Sequence, residues 1–426
     1  MNHHLVKCLL ACMTILPATA FAQAPTGTPP DVAPMKSQNS QGFPPPATTP
    51  GQPIETRAPE KADDRPAFAG QTRAPFQPTV PYNVVTLTDQ LKMPWSLAFL
   101  PDGGLLVTEK AGSMRILDRQ GRLSEPLAGV PQVLAIGQVG LLDVALDPKF
   151  PANHRLFFTY SEAVGDSDSN IVVARARLEG NALDDVSVIF RAKPALPARA
   201  LSSNSGGRIA IGRDCNLFVT IGDRSKSPPW LVAQQLDTHL GKMIHITPDG
   251  APAPGNPFIG KPGVLAEIYS LGHRSEEGLA IDPRGRLWET EHGPRGGDEL
   301  NLIEPGKNYG WPVISHSIDY PGEPIGQGKT EQAGMEQPRY YWDPVIAPSG
   351  LAFYTGNLFP QWKNSVFVGA LRGMFLDRLT LSGDKVAGEE PLLVDQHARI
   401  RDVRIGPEGA VYVLSDDGKL FKLTPK

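Results

Sequence analysis

From residue 82 onward one phrase of apolar and polar positions recurs. An apolar-Ala-apolar step is followed by a turn rich in Pro, Asp or Gly, then by a second apolar run. It runs as Leu97-Ala98-Phe99, Pro101-Asp102-Gly103 and Leu105-Leu106-Val107, and again as Val144-Ala145-Leu146, Asp147-Pro148 and Leu156-Phe157-Phe158. Ile209-Ala210-Ile211 precedes Leu217-Phe218-Val219, and Leu279-Ala280-Ile281 with Asp282-Pro283 precedes Leu287-Trp288. Leu351-Ala352-Phe353 precedes Val366-Phe367-Val368, and Val403-Arg404-Ile405 with Pro407-Glu408-Gly409 precedes Val411-Tyr412-Val413. Short apolar runs of this kind predict strands, and the turn residues between them predict hairpins. Six such hairpins at spacings of roughly 45 to 75 residues predict an all-β chain, a six-bladed β-propeller with loop insertions on some blades. Long insertions are where a site is expected.

The N-terminal region has a different texture. Lys7, the apolar run Leu9 to Ala18 and the small-residue pattern Ala20-Phe21-Ala22 make residues 1–22 an expected export signal, too short to span a bilayer. A lipoprotein alternative would use Leu10-Ala11-Cys12, but the apolar run before Cys12 is very short. Residues 23–81 carry 14 of the 43 prolines and few large apolar side chains. Such a segment buries too little surface to offset its ordering entropy, so it is expected to be a disordered Pro-rich spacer ahead of a propeller at 82–426. Removal of the signal takes Cys8 and Cys12 with it and leaves Cys215, so no internal disulfide is expected despite a periplasmic or secreted destination. Cys215 is expected as a turn residue or a buried thiol. The net charge of -4 supplies no basic field for nucleic acid.

Several segments go beyond the repeat. They are Gly137-Gln138-Val139-Gly140-Leu141-Leu142-Asp143-Val144, Leu240-Gly241-Lys242 with Thr247-Pro248-Asp249-Gly250, and Leu271-Gly272-His273-Arg274. Further on stand Glu291-His292-Gly293-Pro294-Arg295-Gly296-Gly297-Asp298-Glu299-Leu300-Asn301, Asn308-Tyr309-Gly310-Trp311-Pro312, and Arg399-Ile400-Arg401-Asp402-Val403. Together these resemble the soluble aldose, glucose and sorbosone dehydrogenases that use pyrroloquinoline quinone (PQQ), over nearly all of residues 82–426. The resemblance implies PQQ at one end of the central axis, calcium beside it, an aldose sugar as substrate and a soluble or membrane-bound electron acceptor.

PQQ is a planar quinone with three carboxylates, so its site calls for guanidinium or ammonium groups, a divalent cation and a general base. The resemblance puts Arg399 and Arg401 at the carboxylate-binding pair. They alternate along a strand and so share a face, and forked donors suit carboxylates. It puts Arg372 at a third cationic position, Gln138 at a cofactor contact and Arg274 beside the reacting quinone, where it would stabilise developing negative charge. The carbonyls of Gly293 and Pro294 match those that hold the cofactor's calcium. Glu299 and the carbonyl of Tyr309 match ligands of a second, structural calcium, in keeping with that ion's preference for oxygen.

Two departures stand out. The family's base histidine has its counterpart in Asn204, within Ser203-Asn204-Ser205-Gly206-Gly207-Arg208, while Asp223 keeps the place of the aspartate that orients the base. An amide has no useful basicity near neutral pH. The family's His-Arg-Asn-Pro-Gln-Gly stands here as His273-Arg274-Ser275-Glu276-Glu277-Gly278. The two added glutamates would weaken binding of a tri-anion if they faced it; adjacent glutamates more commonly face solvent. His273 and His292 belong to the shared motifs and are not evident relocated bases, and His239, just before Leu240-Gly241-Lys242, is expected to be structural. Two readings follow: a PQQ- and calcium-dependent oxidation of aldoses at C1 to lactones, weakened at Asn204, or a non-catalytic propeller that binds a sugar, a cofactor or a protein partner.

Overall fold

The computed structural model describes residues 45–224 and 230–426. The expected signal at 1–22 and residues 23–44 of the expected spacer lie outside the described residues.

Six antiparallel sheets make up the described chain. Their first strands are Pro94–Phe99, Leu141–Leu146, Gly206–Ile211, Glu276–Ile281, Pro348–Phe353 and Ile400–Ile405. Each of these inner strands packs against the next, and the sixth returns to the first, so the sheets close into the six-bladed propeller expected from the repeat. The repeated phrase corresponds to the two inner strands of each blade.

The core is six apolar seams, one between each pair of successive blades. Met114 and Val144 meet between the first and second blades, and Phe157 and Val219 between the second and third. Met243 and Leu279 fill the third seam, Trp288 and Leu351 the fourth, Phe367 and Val403 the fifth, and Leu414 and Leu97 the sixth. The last blade is built from both ends of the domain. Tyr82–Thr88 pairs antiparallel with Leu420–Pro425, with Tyr82 opposite Pro425.

Near its start every inner strand shows a register shift against its neighbour: 94/96, 141/144, 206/209, 276/278, 348/351 and 400/402. A bulge bends the strand and re-aims its side chains. Six bulges at the same end splay the chain around one mouth of the central axis.

The axis below that mouth is filled by charge. Arg208, fully buried, donates through Nη1 to Asp402 at 2.9 Å and through Nε to the Glu277 carbonyl at 2.7 Å, and its guanidinium lies 3.9 Å from the Trp95 ring. Arg404 donates to Asp402 at 3.0 Å and to Asp143 at 2.9 Å. Asp143 also accepts from Ser96 Oγ and from the Ile209 amide. Two cations and two anions from three blades thus satisfy one another.

One expectation is corrected. Residues 45–81 are not a disordered spacer. They form an ordered arm along the fourth and fifth blades, with Ile54, Ala74 and Phe76 buried against Trp342 and Val386. Gln77 N donates to the Glu389 carbonyl and Glu389 N to the Pro75 carbonyl, both at 3.0 Å, so the arm covers an exposed sheet edge. The arm has no core of its own and takes its order from the surface of the blades. Cys215 occupies a turn at φ 66° and is exposed rather than buried.

Candidate functional site

The mouth collects the loops that precede the inner strands and those that follow the second strands. Gln138, Asn204, Arg274 and Arg399 come from the former; Asp223, Gly293, Arg372 and Asp416 come from the latter. The sequence-predicted residues therefore converge, and they do so in three groups.

The first group surrounds Asn204, which is buried and held at φ 50°. Its Nδ2 donates to Asp223 Oδ1 at 2.8 Å, while Trp311 Nε1 donates to Asp223 Oδ2 at 2.8 Å. Gln138 presents Oε1 to the Asn204 amide at 2.6 Å, so its carbonyl oxygen positions Asn204. Arg274 lies 5.3 Å from the Trp311 ring centroid and donates through Nη1 to the His292 carbonyl at 2.8 Å. The Tyr320 hydroxyl stands 3.5 Å from Arg274 Nη2, and Tyr320 is exposed above it.

The second group is cationic. Arg399 and Arg401 share the carboxylate of Asp416, at 3.0 and 2.8 Å. Arg399 also donates to the Leu371 carbonyl at 3.1 Å, which ties it to the turn carrying the exposed Arg372. Lys110, donating to the Gly137 carbonyl, joins this group; burial pulls its ammonium down to about 8, and nearby Arg401 pushes the same way.

The two glutamates of the second departure are buried, not solvent-facing. Glu277 lies 3.9 Å from Arg401, and burial raises its carboxyl above the ordinary value against the pull of Arg401 and Arg208. Neither carboxylate oxygen of Glu276 has a hydrogen-bond partner among the described residues. Burial and the neighbouring Glu291 hold its carboxyl well above the usual range.

The third group sits in the fourth blade. Glu289 and Glu291 alternate along the strand Leu287–Glu291, and Asn301 Nδ2 lies 2.9 Å from Glu289, 3.3 Å from Glu291 and 3.0 Å from Glu299. His273 Nδ1 stands 3.3 Å from Glu291 and 3.7 Å from Glu289. These three residues could hold a metal ion. Burial first, then Glu291, raises both the Glu289 and Glu299 carboxyls well above the ordinary range. Tyr309 stacks on His273 at 4.8 Å. Sequence reasoning passed over Glu289; the available signal was two glutamates two apart on one face of an apolar strand.

Gly293 and Pro294 open a tight turn beside this cluster. Gly293 N donates to Asp298 Oδ1 at 2.9 Å, and a Cβ on Gly293 would come within 2.0 Å of the Gly296 carbonyl. Asp298 also accepts from the Ile346 and Ala347 amides at 2.7 Å, and burial pushes its carboxyl up to about 7. His292 Nε2 lies 2.6 Å from the Pro348 carbonyl, and burial lowers its imidazole to about 3. That neutral ring donates to a carbonyl and is no substitute base. His239 accepts from Lys193 N at 3.0 Å and meets Phe190 edge-on, a structural place.

A six-bladed propeller with an arginine-rich half-mouth facing a carboxylate-rich one defines a class, and comparison narrows it. The family model for glucose/sorbosone dehydrogenase matches residues 91–422, and the chain belongs to that family. The aldose sugar dehydrogenase of Escherichia coli is 42% identical over 351 residues, which is 81% of this chain and 93% of that protein. A crystal structure of a glucose dehydrogenase, 45% identical, superposes with a TM-score of 0.77 over 81% of this chain and all of the other. The PQQ-bound aldose sugar dehydrogenase of Streptomyces coelicolor, 32% identical, has a TM-score of 0.65 over 82% of this chain and 99% of its own.

Proposed function

We propose that this protein oxidises aldose sugars at C1 with PQQ and calcium, slowly, in the periplasm or outside the cell. No helix among the described residues is long and apolar enough to cross a membrane. The observation that carries the reading is the mouth itself, where Arg399, Arg401 and Lys110 stand opposite Arg274, Asn204 and Asp223.

The donor set fits a planar tricarboxylate. Arg399 and Arg401 now divide one carboxylate, that of Asp416, and a ligand carboxylate would enter the same forked geometry. Arg372, exposed on the adjoining turn, supplies a further positive charge. The cation sites fit as well. Oxygen ligands suit calcium, and among the described residues no Lys or Arg side chain pairs with the crowded Glu289, Glu291 and Glu299 carboxyls, whose side-chain partners are His273 and Asn301. Gly293 and Pro294 would hold the cofactor's calcium through their carbonyls; Glu299 and the Tyr309 carbonyl would hold a structural one. Once bound, PQQ would supply the two-electron acceptor, with calcium as the charge that would polarise it.

The protein's own residues do the rest. Arg274, fixed by the His292 carbonyl and the Trp311 ring, stabilises negative charge as it develops. Asp223 is occupied on both oxygens and orients the side chain at position 204. Asn204 offers Asp223 an N–H and takes up no proton from the sugar. Loss of a general base costs about a hundred- to ten-thousand-fold in rate.

The test reconstitutes wild type and Asn204→His with PQQ and calcium and follows dye reduction with a panel of aldoses. We expect slow wild-type turnover and a gain of about a hundredfold or more in Asn204→His. Equal, high rates in both would sink the reading of Asn204. A second reading, favoured by the amide at position 204, is a propeller that binds PQQ or sugar without turnover; PQQ binding with no dye reduction by wild type would select it. No PQQ binding by either protein would exclude the cofactor.

A further inference from the structure

The ordered arm lies upstream of the family-matched residues 91–422, yet it reaches the turn that carries Gly293 and Pro294. Glu60 Oε2 accepts from Arg295 Nη2 at 2.5 Å. Asp64 lies 3.0 Å from His316 Nδ1, both side chains are buried, and the His316 ring stacks on Tyr341 at 4.0 Å and 7°. The amides of Glu60 and Lys61 donate to the Asp343 carboxylate at 2.8 and 3.3 Å.

Each of these partners touches the turn. Arg295 belongs to it and exchanges backbone hydrogen bonds with Ile318 at 3.2 and 3.0 Å. Asp343 lies so close to Gly296 that a Cβ there would meet its Oδ1 at 2.5 Å. His316 backs Gly297, where a Cβ would meet the His316 carbonyl carbon at 2.8 Å. Three separate supports of one tight turn are therefore each held by the arm.

We infer that Glu60 and Asp64 are positioning residues, which fix the Gly293–Gly297 turn so that its carbonyls retain a divalent cation. This rests on the reading of that turn as the cofactor's calcium site. Residues that orient metal ligands from outside typically govern ten- to a hundredfold of metal affinity. The arm would thus set how firmly the cation, and the anionic cofactor above it, are kept.

The experiment uses the full chain, free of PQQ, in wild type, Glu60→Gln, Asp64→Asn and the double variant. Glu55→Gln serves as control, because the Glu55–Arg57 ion pair stays within the arm. Calcium affinity is read by titration calorimetry, and amide hydrogen exchange is followed at residues 293–297. We expect calcium binding weakened about tenfold or more in Glu60→Gln and Asp64→Asn, with faster exchange in the turn, and neither change in Glu55→Gln. A lower Tm with unchanged calcium affinity and unchanged exchange would overturn the inference and leave the arm a purely structural cover. Should wild type bind no calcium, the reading of the turn as a cation site fails. Exchange then decides alone: acceleration supports the bracing role and its absence defeats it.

Discussion

Two buried charge clusters, one on the central axis and one in the fourth blade, are built on opposite plans. On the axis, Arg208 and Arg404 face Asp143 and Asp402, and every carboxylate oxygen is bonded. In the fourth blade, Glu276, Glu289, Glu291 and Glu299 crowd together with one imidazole and one amide, and oxygens of Glu276 and Glu289 find no hydrogen-bond partner among the described residues. Burying a charge is costly unless it is paired. The closed cluster therefore ties three blades together, while the open one gathers more carboxyls than cations and so fits a guest cation.

Single substitutions should separate the two plans by sign. The largest effect is expected from Arg208→Met, which leaves Asp402 Oδ1 without its partner in the core; breaking a buried pair from one side costs about 3–5 kcal/mol, read as a lower denaturant midpoint. Glu276→Met should move the other way in calcium-free buffer. It removes unpartnered oxygens and should stabilise by about 1–3 kcal/mol, and a loss of similar size to Arg208→Met would mean that the open cluster is secretly balanced. The smallest effect concerns Glu277, which sits between the clusters at Arg401. Its carboxyl is raised by burial, so it is neutral at low pH and gains its charge as pH rises through that raised value. The anion then competes for Arg401 and repels a tricarboxylate. PQQ affinity should accordingly fall with rising pH, and Glu277→Gln should flatten that fall and tighten binding by about tenfold, or ~1.4 kcal/mol, at the alkaline end. A pH profile parallel to wild type would remove Glu277 from the binding balance.

The sequence displayed the inner half of each blade because those strands are apolar and punctuated by Pro, Asp and Gly. Outer strands such as Ala182–Arg191, largely exposed on one face, carry no such phrase. The candidate site was legible where motif and chemistry coincide, at Arg399, Arg401, Asp223 and the Gly293 turn, which the fold brings to one mouth. It was not legible where function depends on contact between distant segments. Nothing local says that Asp416 lies between Arg399 and Arg401, that Lys110 joins them, or that Glu276 and Glu277 turn inward. The arm was missed for the same reason. Its composition is that of a disordered spacer, and the few residues that order it, Ile54, Ala74 and Phe76, find their partners only on the folded blades.

The clasp between Tyr82–Thr88 and Leu420–Pro425 also sets a timetable. The two strands are nearly the whole domain apart in sequence, so joining them carries a loop-closure cost on the order of 5 kcal/mol. Among the described strands, Leu420–Pro425 is synthesised last. Until then the sixth blade lacks its outer pair, the ring stays open, and Tyr82–Thr88 waits as an unpaired edge. A nascent chain can thus build blades one by one, but the mouth that gathers residues from all six exists only once Leu420–Pro425 has been made.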